Sequence, residues 1–203
     1  MPDFAASLRP AQPTSAEGLM FARYLDTAAD GVFRFMLGRG SERVLAKAYL
    51  TPGHDLSFDH VTFAEIGGEI VGMASSFSSQ QHDQSSESPL FRAAGWRNVR
   101  MAAVSTALFR LFGFIDAVAD GDFYLHALAV SPERRGYGLG STLFHHAEER
   151  ARNAGAKRLS LVVAVDNENA QRLYERMGMT VVATSPRSLV MPDGQVHRMA
   201  KDL

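Results

Sequence analysis

Phe123-Tyr-Leu-His-Ala-Leu-Ala-Val130 runs into Ser131-Pro-Glu-Arg-Arg-Gly-Tyr-Gly-Leu-Gly-Ser141: an apolar strand, a glycine-rich turn, then the start of an amphipathic helix. Arg134 and Arg135 flank the turn. Gly136, Gly138 and Gly140 let bare backbone N–H groups approach a ligand at the positive end of the helix dipole. The segment therefore reads as an anion-binding device, and a phosphate suits it.

Two general phosphate motifs compete for it. A nucleotide P-loop needs Lys followed by Ser or Thr after its last glycine, whereas Gly140 is followed by Ser141-Thr142. The dinucleotide fingerprint G-x-G-x-x-G is nearly met by Gly136, Gly138 and Ser141, and Asp166 ends the next expected strand, where a ribose-binding carboxylate could sit. Against it, five residues separate Val130 from Gly136, and too little chain follows to complete a doubly wound sheet.

A third pattern fits better. Arg135, Gly138 and Gly140 match Arg/Gln-x-x-Gly-x-Gly/Ala, and Asn167-Glu-Asn-Ala170-Gln-Arg-Leu173-Tyr174-Glu-Arg-Met-Gly178 follows at a compatible distance. Both blocks resemble the Gcn5-related N-acetyltransferases (GNAT), with Met179 where that family usually carries Phe. The likeness covers about residues 120–185, with a looser echo in Leu8-Arg9-Pro10-Ala11. The strand from His126 to Val130 is locally similar to arylalkylamine N-acetyltransferases, a likeness too local to carry a substrate with it.

The resemblance implies an α/β fold in three layers (α+β in some schemes). A mixed central sheet of about six to seven strands would splay at its fourth and fifth strands, with helices on both faces. It implies acetyl-CoA as co-substrate, with the diphosphate held by Arg135, Gly136, Tyr137, Gly138, Leu139, Gly140 and Ser141. Leu128, Ala129 and Val130 would grip the pantetheine arm as a strand edge, the Leu128 N–H polarising the thioester oxygen. Asn167 would either cap its helix or bond that arm, and Tyr174 would protonate the departing thiolate.

Composition agrees with one globular domain over residues 1–203: 46% of residues are hydrophobic and 21% charged. A formal net charge of -1 gives no general attraction to nucleic acid. The absence of cysteine removes disulfides, metal-thiolate sites and a cysteinyl acyl-enzyme. Met1-Pro-Asp-Phe-Ala-Ala-Ser7 lacks the basic and apolar regions of a secretory signal, so a cytoplasmic location is expected.

Upstream, Ser7–Ala11 reads as a strand, and Thr14-Ser-Ala-Glu17 as a capping box opening a helix with Leu19, Met20, Ala22 and Tyr24 on its apolar face. One or two helices are expected over Asp30–Leu50, broken near Gly38 and Gly40. Val61–Ile66 and Glu69–Ala74 form a hairpin about Gly67-Gly68. Ser75–Pro89, polar and aperiodic, reads as a mobile loop. Residues 91–118 read as an apolar helical insertion, roughly 90–119, offering Val104, Leu108, Phe109, Leu111, Phe112 and Ile115 for burial. Arg110 and Asp116 interrupt it, so it is no membrane span. It packs over the sheet, shapes an acceptor pocket or supplies a homodimer contact.

The remaining order is strand Asp122–Val130, helix Gly138–Asn153, strand Lys157–Val165, helix Asn167–Met177, strand Thr180–Thr184, and a last strand Gln195–Lys201 after a turn at Pro192-Asp-Gly194. Leu139, Leu143, Ala147 and Ala151 mark the buried face of the first helix. Glu148, Glu149, Arg150 and Arg152 read as its solvated face.

Amide-forming acetyl transfer needs a base for the amine and an acid for the leaving thiol. His126, with an ordinary pKa of about 6.5, is the candidate base, directly or through water. Alternation places it on the same side of its strand as Tyr124, which could orient that water, and Leu128. The expected activity is direct ternary-complex transfer to a primary amine of a small molecule, peptide or protein. The alternatives are an inactive acyl-CoA-binding module and a dinucleotide oxidoreductase. His145 and His146 are adjacent and diverge, while His54, His60, His82 and His197 are scattered, so no metal site is expected.

Overall fold

The structure, a computed structural model, describes residues 6–187 and 194–203. Pro192 and Asp193 of the turn expected before the last strand lie outside them. In chain order, β1 (Ser7–Pro10) leads to α1 (Ser15–Ala28), α2 (Val32–Leu37), α3 (Ser41–Tyr49) and the hairpin β2 (Val61–Ile66) and β3 (Glu69–Ser78). Four short helices follow, α4 (Ser79–Asp83), α5 (Ser88–Ala94), α6 (Asn98–Ala107) and α7 (Phe109–Ile115). The chain ends with β4 (Asp122–Val130), α8 (Leu139–Asn153), β5 (Arg158–Ala164), α9 (Glu168–Arg176), β6 (Thr180–Thr184) and β7 (Val196–Asp202).

The seven strands form one mixed sheet in the order β1-β2-β3-β4-β5-β7-β6. Its single parallel pair, β4–β5, is in register only from Asp122–Arg158 to Tyr124–Ser160. Beyond that point β4 stays with β3 as far as Val130, and β5 with β7 as far as Ala164. The facing edges of Leu125–Val130 and Leu161–Ala164 are therefore splayed. A sheet with one parallel pair also disposes of the dinucleotide reading, which needs a doubly wound parallel array.

One core cluster packs α1, α2, α3, α5 and α6 on one face of the sheet around Phe21, Leu45, Tyr49 and Phe63. The other packs α8 and α9 on the opposite face around Leu143, Phe144, Leu159 and Met199. Met179 is buried in this second cluster, so methionine fills the position that phenylalanine usually holds.

A β-bulge interrupts β4. Ser75 faces Ala127 whereas Ser76 faces Leu125, so β4 fits one extra residue, His126, into the ladder. Phe123 and Leu125 pack with the α8 cluster, Ala127 and Ala129 with the α1 cluster, and Leu128 and Val130 again with α8. The expected common side for Tyr124, His126 and Leu128 is thus corrected: the extra residue flips the alternation after His126.

Three other expectations change. Ser75–Pro89 is not a loop, because β3 continues to Ser78 and a capping box between Ser78 and Gln81 starts α4; Ser75 and Ser76 are small enough to be buried against β4. At Thr14 only half the capping box forms: its hydroxyl accepts from the Glu17 amide, while the Glu17 carboxylate accepts from Gln12 N–H at 2.7 Å. Glu148 and Arg150 are not solvated, since Glu148 accepts from Lys201 Nζ at 2.5 Å and Arg150 donates to Ser76 Oγ at 3.1 Å.

Among the described residues no single helix is long and apolar enough to cross a membrane, and the insertion bends by 87° between α6 and α7.

Candidate active site

The splay opens into a cleft of about 1490 Å³ that runs between the glycine turn and the helical insertion. At the turn, Gly136 and Gly138 take φ of +83° and +85°, values that L side chains adopt only under strain. The first helical hydrogen bond comes from Thr142 N–H to the Gly138 carbonyl. Among the described residues the amides of 136–141 find no acceptor, a row of free donors at a helix N-terminus.

Arg135 Nε donates to the Val130 carbonyl at 3.2 Å, which braces the guanidinium at the end of β4. Arg134 lines the cleft beside it, whereas Tyr137, 81% exposed, lies outside the cleft lining. Gly140 serves packing: a Cβ there would lie 3.2 Å from Leu173 Cδ2, so its absence lets α9 close on α8.

Leu128, Ala129, Val130, Gly136, Gly138, Leu139, Gly140, Ser141 and Asn167 all border the cleft. Asn167 borders the cleft and caps α9, its Oδ1 accepting from Ala170 N–H at 3.2 Å. Gln171 holds α9 against β5 by donating to the carbonyls of Ala164 and Val165 at 2.9 and 2.8 Å. Those bonds set the height of Tyr174, one turn further along the same helix.

Tyr174 is buried, and burial pushes its pKa up to about 12. Tyr124 is buried too, with its hydroxyl lacking a partner and its pKa raised chiefly by burial. His126 borders the cleft, and its Nδ1 is buried without a partner. Burial pushes its pKa down to about 4; the Asp55 charge opposes that shift, and His60 and His82 add to it. His126 is therefore neutral at physiological pH.

The fold gathers histidines that look scattered in sequence. The rings of His60, His82 and His126 lie 5.5, 5.7 and 5.6 Å from that of Phe77. His82 Nδ1 lies 2.7 Å from Asp55 Oδ2 and its Nε2 lies 3.0 Å from the Asp116 carbonyl. Asp55, whose Oδ1 is buried without a partner, borders the cleft and was missed from sequence. No linear spacing links residues 55, 82 and 126; His82 and His126 meet because α4 and β4 converge on Phe77 of β3, and Asp55, from the segment between α3 and β2, joins them through His82. His54 is structural, its Nε2 lying 3.0 Å from the Ala48 carbonyl. Among the described residues no group of three or more metal-binding side chains is assembled.

The donors present suit a long phosphorylated acyl carrier: free amides at one end, two unpaired strand edges along the middle, and unpartnered hydroxyl and imidazole groups where those edges part.

Comparison with known proteins gives the same direction. The family model described as Acetyltransferase (GNAT) family matches residues 33–179. An N-acetyltransferase of Bacillus subtilis (strain 168), provisionally named for the alanine of ribosomal protein bS18, is 47% identical over 58 residues, 29% of this chain and 38% of that protein. An uncharacterized N-acetyltransferase of Methanocaldococcus jannaschii is 37% identical over 54 residues, 27% of this chain and 24% of that one. The matches thus span well under half of these relatives. The crystal structure of an N-acetyltransferase from Staphylococcus aureus Mu50 shares the fold at a TM-score of 0.70 and 16% identity, covering 97% of this chain and 100% of that one.

Proposed function

Taking as premise that this chain belongs to the acetyltransferase (GNAT) family, we propose that it moves an acetyl group from acetyl-CoA directly to a primary amine held in the same cleft. Acetyl-CoA is the family's acyl donor; it supplies an activated carbonyl and a thiol leaving group. The amides of 136–141, with Arg135, hold its diphosphate. The free edge of Leu128–Val130 takes the pantetheine arm as an added strand, and the Leu128 N–H lies on that edge to polarise the carbonyl.

The neutral His126 accepts a proton from the amine directly or through an ordered water that Tyr124 helps to orient. Tyr174, protonated at neutral pH because burial raises its pKa, donates to the leaving sulfur. The chain has no cysteine, so a cysteinyl acyl-enzyme is not available and direct attack is the economical route.

The observation that carries this reading is that His126 from β4 and Tyr174 from α9 both line the one cleft where the strands part. Incubation with acetyl-CoA and a broad set of amines, scoring free thiol, tests it. Thiol release that depends on the amine is expected; tight acetyl-CoA binding without turnover across the set would instead identify a non-catalytic acyl-CoA-binding module.

A further inference from the structure

We infer that the acceptor is a compact apolar amine carrying no carboxylate, taken up as a small molecule in a roofed chamber; this rests on the acetyl-transfer reading of the same cleft. The first support is a partition of charge. Among the described residues, the basic side chains lining the cleft are Arg134, Arg135 and Arg176, all on the glycine turn or α9, at the acyl-carrier end. The acids are spread more widely, since Asp30 and Asp166 also line the cleft, but the insertion end carries Asp55, Glu87 and Asp116 and no lysine or arginine in its lining. An ammonium finds a counter-charge there, and Asp55 Oδ1 still lacks a partner. A carboxylate would be desolvated next to these acidic groups, and Arg198, whose Nη2 is committed to the Phe114 and Ile115 carbonyls, is not part of the lining.

The second support is the wall. Phe33 and Met36 from α2 face Met101, Leu108, Leu111 and Phe112 from α6, α7 and the bend between them. Such a lining rewards an alkyl or aryl body and gives a polyhydroxylated amine little to bond.

The third is the roof. The insertion is fastened on both sides of the chamber. Arg100 donates to the Phe35 carbonyl at 2.8 and 3.1 Å, tying α6 to α2. Arg198 of β7 donates to the Phe114 carbonyl and, at 3.4 Å, to that of Ile115. His82 holds the end of α7 through the Asp116 carbonyl. A polypeptide terminus needs room for the chain that follows it, and an insertion pinned over the cleft at these three points favours a free small molecule.

The test uses n-butylamine, n-pentylamine, n-hexylamine and n-octylamine, norleucine, which is pentylamine bearing an α-carboxylate, and a peptide beginning with alanine. Each is titrated calorimetrically into the CoA-loaded protein and assayed for kcat/KM with acetyl-CoA. Affinity and kcat/KM are expected to rise about fourfold per added methylene until the chamber is filled. Pentylamine is expected to exceed norleucine by roughly a hundredfold, and the peptide to be inert. Phe112→Ala should flatten the chain-length dependence while acetyl-CoA affinity stays as in the parent. Norleucine or the peptide matching pentylamine, or no chain-length dependence while acetyl-CoA still binds, overturns the inference. Failure of acetyl-CoA to bind at all overturns the acetyl-transfer reading, and this inference with it.

Discussion

Tyr124 of β4 and Ser160 of β5 are the last two residues at which the parallel strands of the sheet stay in register. Each strand then follows its antiparallel neighbour, β4 with β3 and β5 with β7, and the gap between them opens into the cleft. The cavity is thus made by the hydrogen-bonding pattern of the sheet, with side chains only finishing its walls.

Gly138 takes φ of +85°, and a Cβ added there would meet nothing within 4 Å. Gly138→Val therefore strains the backbone by about 1–2 kcal/mol rather than clashing, and relief of that strain turns the amides of the anion site away. Acetyl-CoA affinity measured by calorimetry should fall about tenfold or more with an unchanged far-UV spectrum. Equal affinity would remove the turn from the cofactor site.

Tyr174→Phe keeps the ring that packs 6.1 Å from Phe144 and deletes only the hydroxyl. Turnover should drop roughly a hundredfold while acetyl-CoA binding holds. Because burial puts the phenol at about 12, the parent enzyme should show no alkaline loss of kcat from this group below about pH 11. Undiminished turnover in the variant would end its role as acid.

His126 is held neutral, so the acidic limb of kcat against pH should fall near the depressed value of about 4 and not near 6.5. His126→Ala should lower kcat and abolish that limb. A parent profile that turns down around pH 6.5 would assign the proton acceptor elsewhere.

The same burial makes the fold acid-sensitive. The folded pKa of His126, about 4, lies below the unfolded value of about 6.5, so between the two the unfolded chain binds a proton that the folded chain refuses. Stability from this group is whole above about pH 6.5 and declines as pH falls, by up to about 1.4 kcal/mol per unit, until the folded state also titrates. Burial depresses His60 in the same sense. Urea denaturation of the parent and of His126→Asn at pH 7, 6 and 5 measures it; parallel curves would show that His126 contributes nothing to the acid dependence.

Glu148, with 5% of its side chain exposed, accepts from Lys201 at 2.5 Å, Arg152 at 2.9 Å and His145 at 3.3 Å. Burial alone would raise its pKa, but the bonds from Lys201 and His145 and the charges of Lys201 and Arg152 outweigh it and the net shift is downward. Lys201→Met leaves that carboxylate short of a partner and should cost about 2 kcal/mol in urea midpoint terms. Glu149→Gln, one position along on the exposed side, should cost less than about 0.5 kcal/mol. Equal effects would mean that Glu148 is as solvated as its neighbour.

Much of this was readable from local order. The run Phe123–Val130 into Gly136, Gly138 and Gly140 encodes a strand, a turn and a helix N-terminus because each depends on neighbouring residues only. Gly67-Gly68 marks the hairpin for the same reason, both residues having positive φ. The polar stretch after Ala74 misled because serine is neutral to a count of apolar residues, although Ser75 and Ser76 are fully buried in β3. Glu148 misled because its partner Lys201 lies 53 residues away.

The chain by itself determined an α/β protein with a glycine-rich turn opening α8, the family to which it belongs, and His126 and Tyr174 as the groups to watch. Tertiary structure alone decided what surrounds them. The extra residue in β4 exists only as a mismatch with β3, and Asp55, His82 and Asp116 become neighbours only once their three segments meet at His82. Short-range stereochemistry is written in adjacent residues. The proton affinity of His126 and the charge of the cleft lining beneath the insertion are sums over residues distant in sequence, and only folding performs that sum.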